Sequence, residues 1–239
     1  MLLYDWPIGV NVNRFTPKSG PVVYGASQSM TDFVQTVAAP TGLVSFELGI
    51  APCKGEAARH LRALVIGLAA GANAVRWTHP DPDRMSYRDM GLTLTNSQEA
   101  NGVPWDNGLP WDNGRNWTVG WPSATLSSSV ALGDGIVAID TTNWGGELDI
   151  GTIFGISGQF GIYTVSAVQF AGSIATARIW PTIRRPAAAG SLVTLRPTIA
   201  GRLVSPDAGQ WSRREYVDGA TVTLVEVPDQ VIRRYATAL

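Results

Sequence analysis

The sequence is poor in cysteine and in charge. A single thiol, Cys53, is present among 239 residues, and charged residues make up only 15% of the chain while 45% are hydrophobic. One cysteine excludes a disulfide within the chain and a thiolate zinc cluster, so Cys53 is expected to be a small core residue of a reduced protein. With so few charges, part of the outer surface is expected to be buried against partners.

Neither sign of charge dominates, because 18 basic and 19 acidic residues give a formal net charge of -1. This balance predicts no binding to nucleic acid or to an anionic membrane. No basic segment followed by a long apolar stretch opens the chain, and the longest apolar run, 61–74, is interrupted by Arg62 and by glycines. The sequence therefore predicts neither a secretory signal nor membrane insertion.

Most of the chain has the pattern of strands and turns. Short β-prone runs alternate with Pro, Gly, Ser and Asn, and apolar residues occupy alternate positions in 42–50. One helix is predicted near 55–70, where apolar residues recur at spacings of three and four and Gly71 follows as a stop signal. A short helix is also possible in the tail, 228–239.

The second half predicts a separate β unit. Five short alternating runs between 127 and 197, each bounded by Gly, Asp or Pro, suggest a small barrel or sandwich. A further strand, 220–227, has no place in a complete barrel. We therefore predict a mainly β fold, with an N-terminal β-sandwich domain containing one helix (1–126 and 199–239) and a small β-barrel domain (127–198) inserted into it or appended.

A short tandem repeat places three tryptophans six residues apart. It reads GVPWDN, GLPWDN and GRNW, and carries Trp105, Trp111 and Trp117. Asn107-Gly108 and Asn113-Gly114 are tight-turn dipeptides because both residue types tolerate positive φ. Two copies are too few for a solenoid, so the segment is predicted to be a loop of turns that each present one tryptophan.

Candidate catalytic residues are few. His60 and His79 are the two histidines, no Gly-x-Ser-x-Gly turn accompanies them, and both are expected at the surface or in a hinge. Asp106 and Asp112, beside tryptophans, form a possible carboxylate pair for glycoside hydrolysis, but turn formation explains the same residues. No calcium loop, phosphate loop or dinucleotide fingerprint is present. The sequence predicts no catalytic residue, no metal, no cofactor and no enzymatic activity.

Large aromatic side chains are the more informative feature, since the chain has nine tryptophans. Tryptophan and arginine commonly anchor protein interfaces, although ordinary core packing must account for more than half of these rings. Trp144 is also expected in a loop, and the pairs 184–185 and 213–214 are expected to form a polar arginine rim. The candidate interface or glycan-stacking residues are Trp105, Trp111, Trp117, Trp180 and Trp211.

Several of these segments together resemble a known family. Six stretches carry the resemblance: SMTDFVQTVAAPTGLVSFEL, KGEAARHLRALV, GVPWDNGLPWDNGRNWTVGWP, FGIYTVSAV, ARIWPTIRRPAAAGSLVTLRP and DGATVTLVEV. They are similar to minor tail proteins of siphophages and of gene-transfer-agent particles, particularly those of alphaproteobacteria. Within that group, the length and split β organisation resemble a distal tail protein. None of these motifs is a catalytic signature.

This resemblance implies a structural role in a virion. It implies a ring, commonly a hexamer, at the tail tip, with the N-terminal β-sandwich as a belt, the barrel projecting outward, and assembly in the host cytoplasm. The implied partners are copies of itself, the tail tube protein, the hub protein and the tape-measure protein. The second unit departs from the galectin-like domain of many distal tail proteins, since 133–197 resembles a smaller barrel. The alternative is a carbohydrate-binding tail module that recognises host surface glycans through Trp105, Trp111 and Trp117. We call the segment that carries them, 101–117, the tryptophan loop.

Overall fold

The computed structural model describes residues 1–17, 23–28, 34–38, 42–79, 93–110, 114–117, 123–144, 148–205, 209–213 and 217–238. The fold is mainly β, as the sequence predicts. It consists of an eight-stranded sheet, which packs against a helix, and a second unit that is a closed six-stranded barrel. Among the described helices, none has the length and apolar character that crossing a membrane requires.

The large sheet takes its strands from both ends of the chain. The strands are β1 (Leu2–Asp5), β2 (Val12–Pro17), β5 (Ser45–Ile50), β6 (Ala74–Thr78), β13 (Thr198–Leu203), β14 (Gly209–Arg213), β15 (Val217–Glu226) and β16 (Thr237–Ala238). Their order in the sheet is β16-β1-β6-β13-β15-β5-β2, with β14 paired to β15 as well. β1 pairs in parallel with β6 and β16, and the other pairs are antiparallel.

Helix α1 (Glu56–Gly67) covers one face of this sheet, and it is the helix predicted near 55–70. Alternate residues of β5 are buried, which places Phe46, Leu48 and Ile50 in one core with Leu61 and Leu64 of α1. The helix continues into a 3-10 turn (Ala69–Gly71). The period of two in the strand and of three to four in the helix therefore brings two apolar faces together.

The described residues also include two shorter helices. α3 (Asp229–Tyr235) lies in the tail, where the sequence allows a helix. α2 (Asn96–Asn101) is not predicted, although it begins with a capping box in which Thr95 and Gln98 bond each other's backbone N–H. The two prolines of HPDPDR predict a loop at 79–89, and all of it except His79 lies outside the described residues.

The barrel forms from six consecutive strands. They are β7 (Ser123–Leu126), β8 (Ile136–Asp140), β9 (Ile153–Ile156), β10 (Tyr163–Ala171), β11 (Ile174–Trp180) and β12 (Leu192–Thr194). Their order around the barrel is β10-β11-β8-β7-β12-β9, and β9 pairs with β10 to close it. The interior is a separate apolar core that includes Trp144, Phe154 and Ile139.

The chain enters and leaves the barrel between two neighbouring strands of the sheet. β6 ends at Thr78, which pairs with Thr198 at the start of β13, and the His79 N–H donates to Pro197 O over 2.9 Å. The predicted boundary after residue 126 lies at the end of β7, which nevertheless pairs with β8 and β12 of the barrel. Its sequence, SATL, is too short and too weakly alternating to mark it as a strand.

Between β2 and β5 the chain forms an antiparallel hairpin, β3 (Val23–Gln28) with β4 (Val34–Ala38). Within the described part of the chain, this hairpin is a two-stranded sheet of its own.

Candidate functional site

The tryptophan loop presents two of its three rings at the surface. Trp105 and Trp117 are 49% and 60% exposed, and an antiparallel bridge joins Val103 to Trp117. The predicted turn at Asn107-Gly108 is present: the Gly108 N–H donates to Trp105 O over 2.8 Å, and Gly108 has a φ of 78°. Trp111 lies outside the described residues. The described part of the loop therefore holds Trp105 and Trp117 on a short paired segment.

The other aromatic candidates have different surroundings. Trp180 ends β11, is half-buried, and packs against the core of the large sheet. Trp211 belongs to β14, and its side chain is outside the described residues. Trp144 lies in a turn, as predicted, but its ring is fully buried in the barrel core, so its interpretation as an interface anchor is wrong. Neighbouring glycines gave a loop signal there, but they cannot report which rings a barrel encloses.

A buried ion pair connects the barrel to the sheet. Arg184, which lies between β11 and β12 of the barrel, contacts Glu226 at the end of β15; the Glu226 side chain is buried and that of Arg184 is only 10% exposed. Glu226 Oε2 accepts a hydrogen bond from the Val44 N–H over 3.2 Å, and the Arg184 guanidinium donates to Gly42 O. The expectation of an exposed arginine rim is therefore wrong for Arg184, whose partner is far away in sequence.

A second charged contact lies beside it. Asp229, at the start of α3, is buried and accepts hydrogen bonds from the Phe160 N–H, Arg185 Nη1 and Arg233 Nε over 2.9, 3.2 and 2.9 Å. Arg233 also donates to Gly158 O. Because Phe160, Gly158 and Arg185 belong to the barrel region while α3 belongs to the sheet, these bonds fix the barrel against the sheet.

Between the two units lies a cavity of about 460 Å³, here called the junction cavity. Residues of the sheet unit form one wall and residues of the barrel form the other. Almost all of them are apolar or aromatic. The lining consists of Phe15, Pro17, Val44, Phe46 and His79 from the sheet unit, and Ile153, Ile162, Thr164, Val165, Ser166, Trp180 and Pro181 from the barrel.

His79 is buried in this wall rather than exposed or in a hinge, so that prediction is wrong. Its ring meets the Phe15 ring edge-on at 4.6 Å and lies 6.2 Å from the Phe46 ring. Burial lowers its pKa to about 4, so the imidazole is neutral at pH 7. The loop sequence around His79 gave no sign of this, because the burial comes from strands distant in sequence.

Two residues of the cavity lining each carry a buried ring nitrogen that has no hydrogen-bond partner among the described residues. The nitrogens are His79 Nδ1 and Trp180 Nε1. His60, in contrast, is half-exposed on α1, 3.6 Å from Glu56, as the sequence suggests for a surface histidine. Asp106 is exposed, and Asp112 lies outside the described residues.

The described residues do not bring together a metal-binding cluster of three or more His, Cys, Asp or Glu side chains. The arrangement instead offers a rigid junction between two β units, an apolar cavity within it, and an exposed aromatic loop. No model of a known protein family matches the sequence, and no functionally curated protein is significantly similar to it.

Proposed function

We propose that this chain is a structural subunit of a phage tail tip, of the distal tail type, which forms a ring between the tail tube and the hub. The proposal rests on the motif resemblance described above and on one structural observation. The barrel is inserted between two neighbouring strands of the sheet and is held there by the Arg184–Glu226 pair and by Asp229, which contacts Arg185 and the Phe160 N–H. Such a rigid two-unit shape suits a belt that carries a fixed outward projection.

Rigidity of the junction supports this function because a ring transmits geometry between neighbours. Arg184–Glu226, Arg185–Asp229 and the bond from the Phe160 N–H to Asp229 join the barrel to the last part of the sheet unit. Swinging the barrel away from the sheet would separate Arg184 from Glu226 and leave a buried charge uncompensated, which is energetically costly. Every copy in a symmetric ring would therefore present its barrel in the same direction.

An apolar surface on the sheet unit is available for contact with a neighbouring copy. Ile8 is 91% exposed in the turn after β1, and Ile66 is 70% exposed on α1. A groove of about 290 Å³ lies beside Ile8 and is lined by Tyr4, Pro7 and Ala63, among others. Ile8 itself lines this groove, and a contiguous exposed apolar patch favours burial against a protein partner. Ile66 lies on the same helix but outside the groove lining. We call Ile8, Ile66 and this groove the α1 surface.

The experiment compares the assembly of the full chain with that of two pairs of variants. Electron microscopy and light scattering of the purified protein are expected to show rings, with a mass that is a sixfold multiple of the 25.5 kDa protomer. Ile8→Asp and Ile66→Asp are expected to abolish rings and leave folded protomers, because both side chains are exposed. Leu132→Asp, at 64% exposure on the barrel, and Ile150→Asp are the matched controls and should assemble normally. Rings that survive both α1-surface changes would remove that surface from the interface.

The exposure of Trp105 and Trp117 favours a second candidate, a carbohydrate-binding tail module. Exposed indole rings can stack on sugar faces. Replacing both residues with alanine is expected to abolish binding of host surface glycans and to leave assembly intact. Binding that persists in the double variant would exclude these rings as the glycan site.

A further inference from the structure

The tryptophan loop carries the dipeptide Asn-Gly three times, at 101–102, 107–108 and 113–114. In this dipeptide the backbone nitrogen of the glycine can attack the side-chain amide of the asparagine, because glycine has no Cβ to obstruct the approach. The rate depends on how easily the nitrogen reaches the amide carbon. Asn113 lies outside the described residues, so the structure distinguishes the first two sites.

Asn107-Gly108 lies in the exposed turn of this loop. The Leu109 N–H donates to Asn107 Oδ1 over 3.0 Å, which folds the side-chain amide back along the peptide that follows it. The same N–H would stabilise the negative charge that forms on Oδ1 when the Gly108 nitrogen adds to Cγ. No described atom lies within 4 Å of the Cβ position of Gly108. To react, this nitrogen must give up the turn hydrogen bond that it donates to Trp105 O over 2.8 Å.

Asn101-Gly102 is held more firmly, at the end of helix α2. The Gly102 N–H donates to Gln98 O over 2.9 Å, and the Asn101 carbonyl accepts a bond from Asn116 Nδ2 over 3.1 Å. Gly102 is buried, and a Cβ on it would lie 2.7 Å from Trp117 O. Moving the Gly102 nitrogen onto the Asn101 side chain therefore requires opening the helix end and its packing. Such local opening costs free energy and slows the reaction.

We propose that Asn107 is a site of spontaneous deamidation in the folded protein, whereas Asn101 is protected. The Gly108 nitrogen forms a bond to Asn107 Cγ, the bond from Cγ to Nδ2 breaks, and Nδ2 leaves as ammonia with the proton of the Gly108 N–H. Water then opens the cyclic imide at either of its carbonyl carbons and returns a hydrogen to the nitrogen. Opening at the backbone carbon gives isoaspartate, and opening at Cγ gives aspartate.

The modification changes the turn that carries Trp105. Either product adds a carboxylate next to Asp106, and isoaspartate also lengthens the backbone of the turn by a methylene group. The tryptophan loop therefore gains negative charge and changes shape as the protein ages. This site is independent of ring formation, because the ring contacts are assigned to the α1 surface and the deamidation site lies on the tryptophan loop.

The experiment follows deamidation in the full-length protein by peptide mass spectrometry during incubation at mildly alkaline pH, which favours the deprotonated backbone nitrogen. Chymotrypsin cleaves after Trp105 and Trp111, so Asn101, Asn107 and Asn113 fall in different peptides. Each deamidated peptide gains mass because a hydroxyl group replaces the amino group. A parallel incubation in urea provides the reference, since the unfolded chain presents every site as the same dipeptide without its folded surroundings.

Asn101 and Asn107 are expected to convert at similar rates in urea. In the folded protein Asn107 should convert about tenfold faster than Asn101 or more, because local opening limits the reaction only at Asn101. If Asn107 converts in urea but not in the folded protein, the proposal is overturned. Equal rates at the two sites in the folded protein would overturn the protection of Asn101.

The variant Gly108→Ala tests the chemical route. Its added Cβ obstructs the attacking nitrogen, so conversion at Asn107 is expected to be lost while conversion at Asn113 continues unchanged. Conversion of Asn107 at the unmodified rate in this variant would overturn the route through the Gly108 nitrogen. Gly108 has a φ of 78°, so alanine can disturb the turn, but the comparison of Asn107 with Asn101 uses the unmodified chain and does not depend on this variant.

Discussion

Lowering the pH from 7 to 5 is expected to destabilise the folded protein through His79. The pKa of this residue is about 4 in the folded chain, against an ordinary value of 6.5, because burial disfavours the imidazolium. Between these two values the unfolded chain binds a proton that the folded chain does not. Stability contributed by neutral His79 is therefore complete above pH 6.5 and falls as the pH decreases toward 4.

The size of the effect follows from the same two pKa values. Each pKa unit of difference corresponds to about 1.4 kcal/mol, and the part that falls between pH 7 and pH 5 amounts to about 2 kcal/mol of unfolding free energy. Other groups titrate in this range as well, so a single curve cannot isolate His79. The comparison must use a variant that lacks only this imidazole.

Urea unfolding at pH 7 and pH 5 provides the assay. His79→Gln is expected to lose about 2 kcal/mol less than the unmodified protein over this interval, since glutamine does not titrate. His60→Gln, which changes the half-exposed histidine of α1, is the matched control and should follow the unmodified protein. If His79→Gln shows the same pH dependence as the unmodified protein, the burial of a neutral His79 is refuted.

Two further changes test the junction and the end of α1 by urea unfolding. Glu226→Gln leaves Arg184 without its counter-charge and is expected to lower the free energy of unfolding by about 3 kcal/mol. The control Glu56→Gln changes an exposed pair on α1 and should lower it by less than about 0.5 kcal/mol. Equal losses for the two variants would contradict a buried Arg184–Glu226 pair. Gly71→Ala adds a Cβ 2.7 Å from Leu203 O at a φ of 94°. In the control Gly133→Ala, at a φ of 92°, no described atom lies within 4 Å of the added Cβ. Both variants carry roughly 1 kcal/mol of backbone strain, so Gly71→Ala is expected to destabilise the protein more than Gly133→Ala does.

Local periodicity was sufficient to predict the main elements. The three-to-four spacing of Leu61 and Leu64 predicts α1, and the alternation of Phe46 and Leu48 predicts β5, because each pattern depends only on residues close in sequence. The predicted mainly β fold with a second, barrel-like unit is confirmed. It too was predictable from strand patterns that depend on residues close in sequence. β7 was missed as a barrel strand because its four residues carry too little alternation to show a period.

The junction could not be predicted, because its contacts join distant parts of the chain. Arg184 meets Glu226 and the Gly42 carbonyl, and nothing in the sequence around either residue indicates this pairing. His79 becomes buried only when β2 and β5 place Phe15 and Phe46 against it. The tryptophan repeat, in contrast, correctly signalled the turn at Gly108, since turn chemistry is local.

Ring formation is the most direct test of the proposed tail-tip function. Electron microscopy of the purified full-length protein is predicted to show closed rings of uniform symmetry, with six copies of the 25.5 kDa protomer. The Ile8→Asp and Ile66→Asp proteins should show single particles of protomer size under the same conditions. A monomer that forms no rings at high concentration would contradict the account.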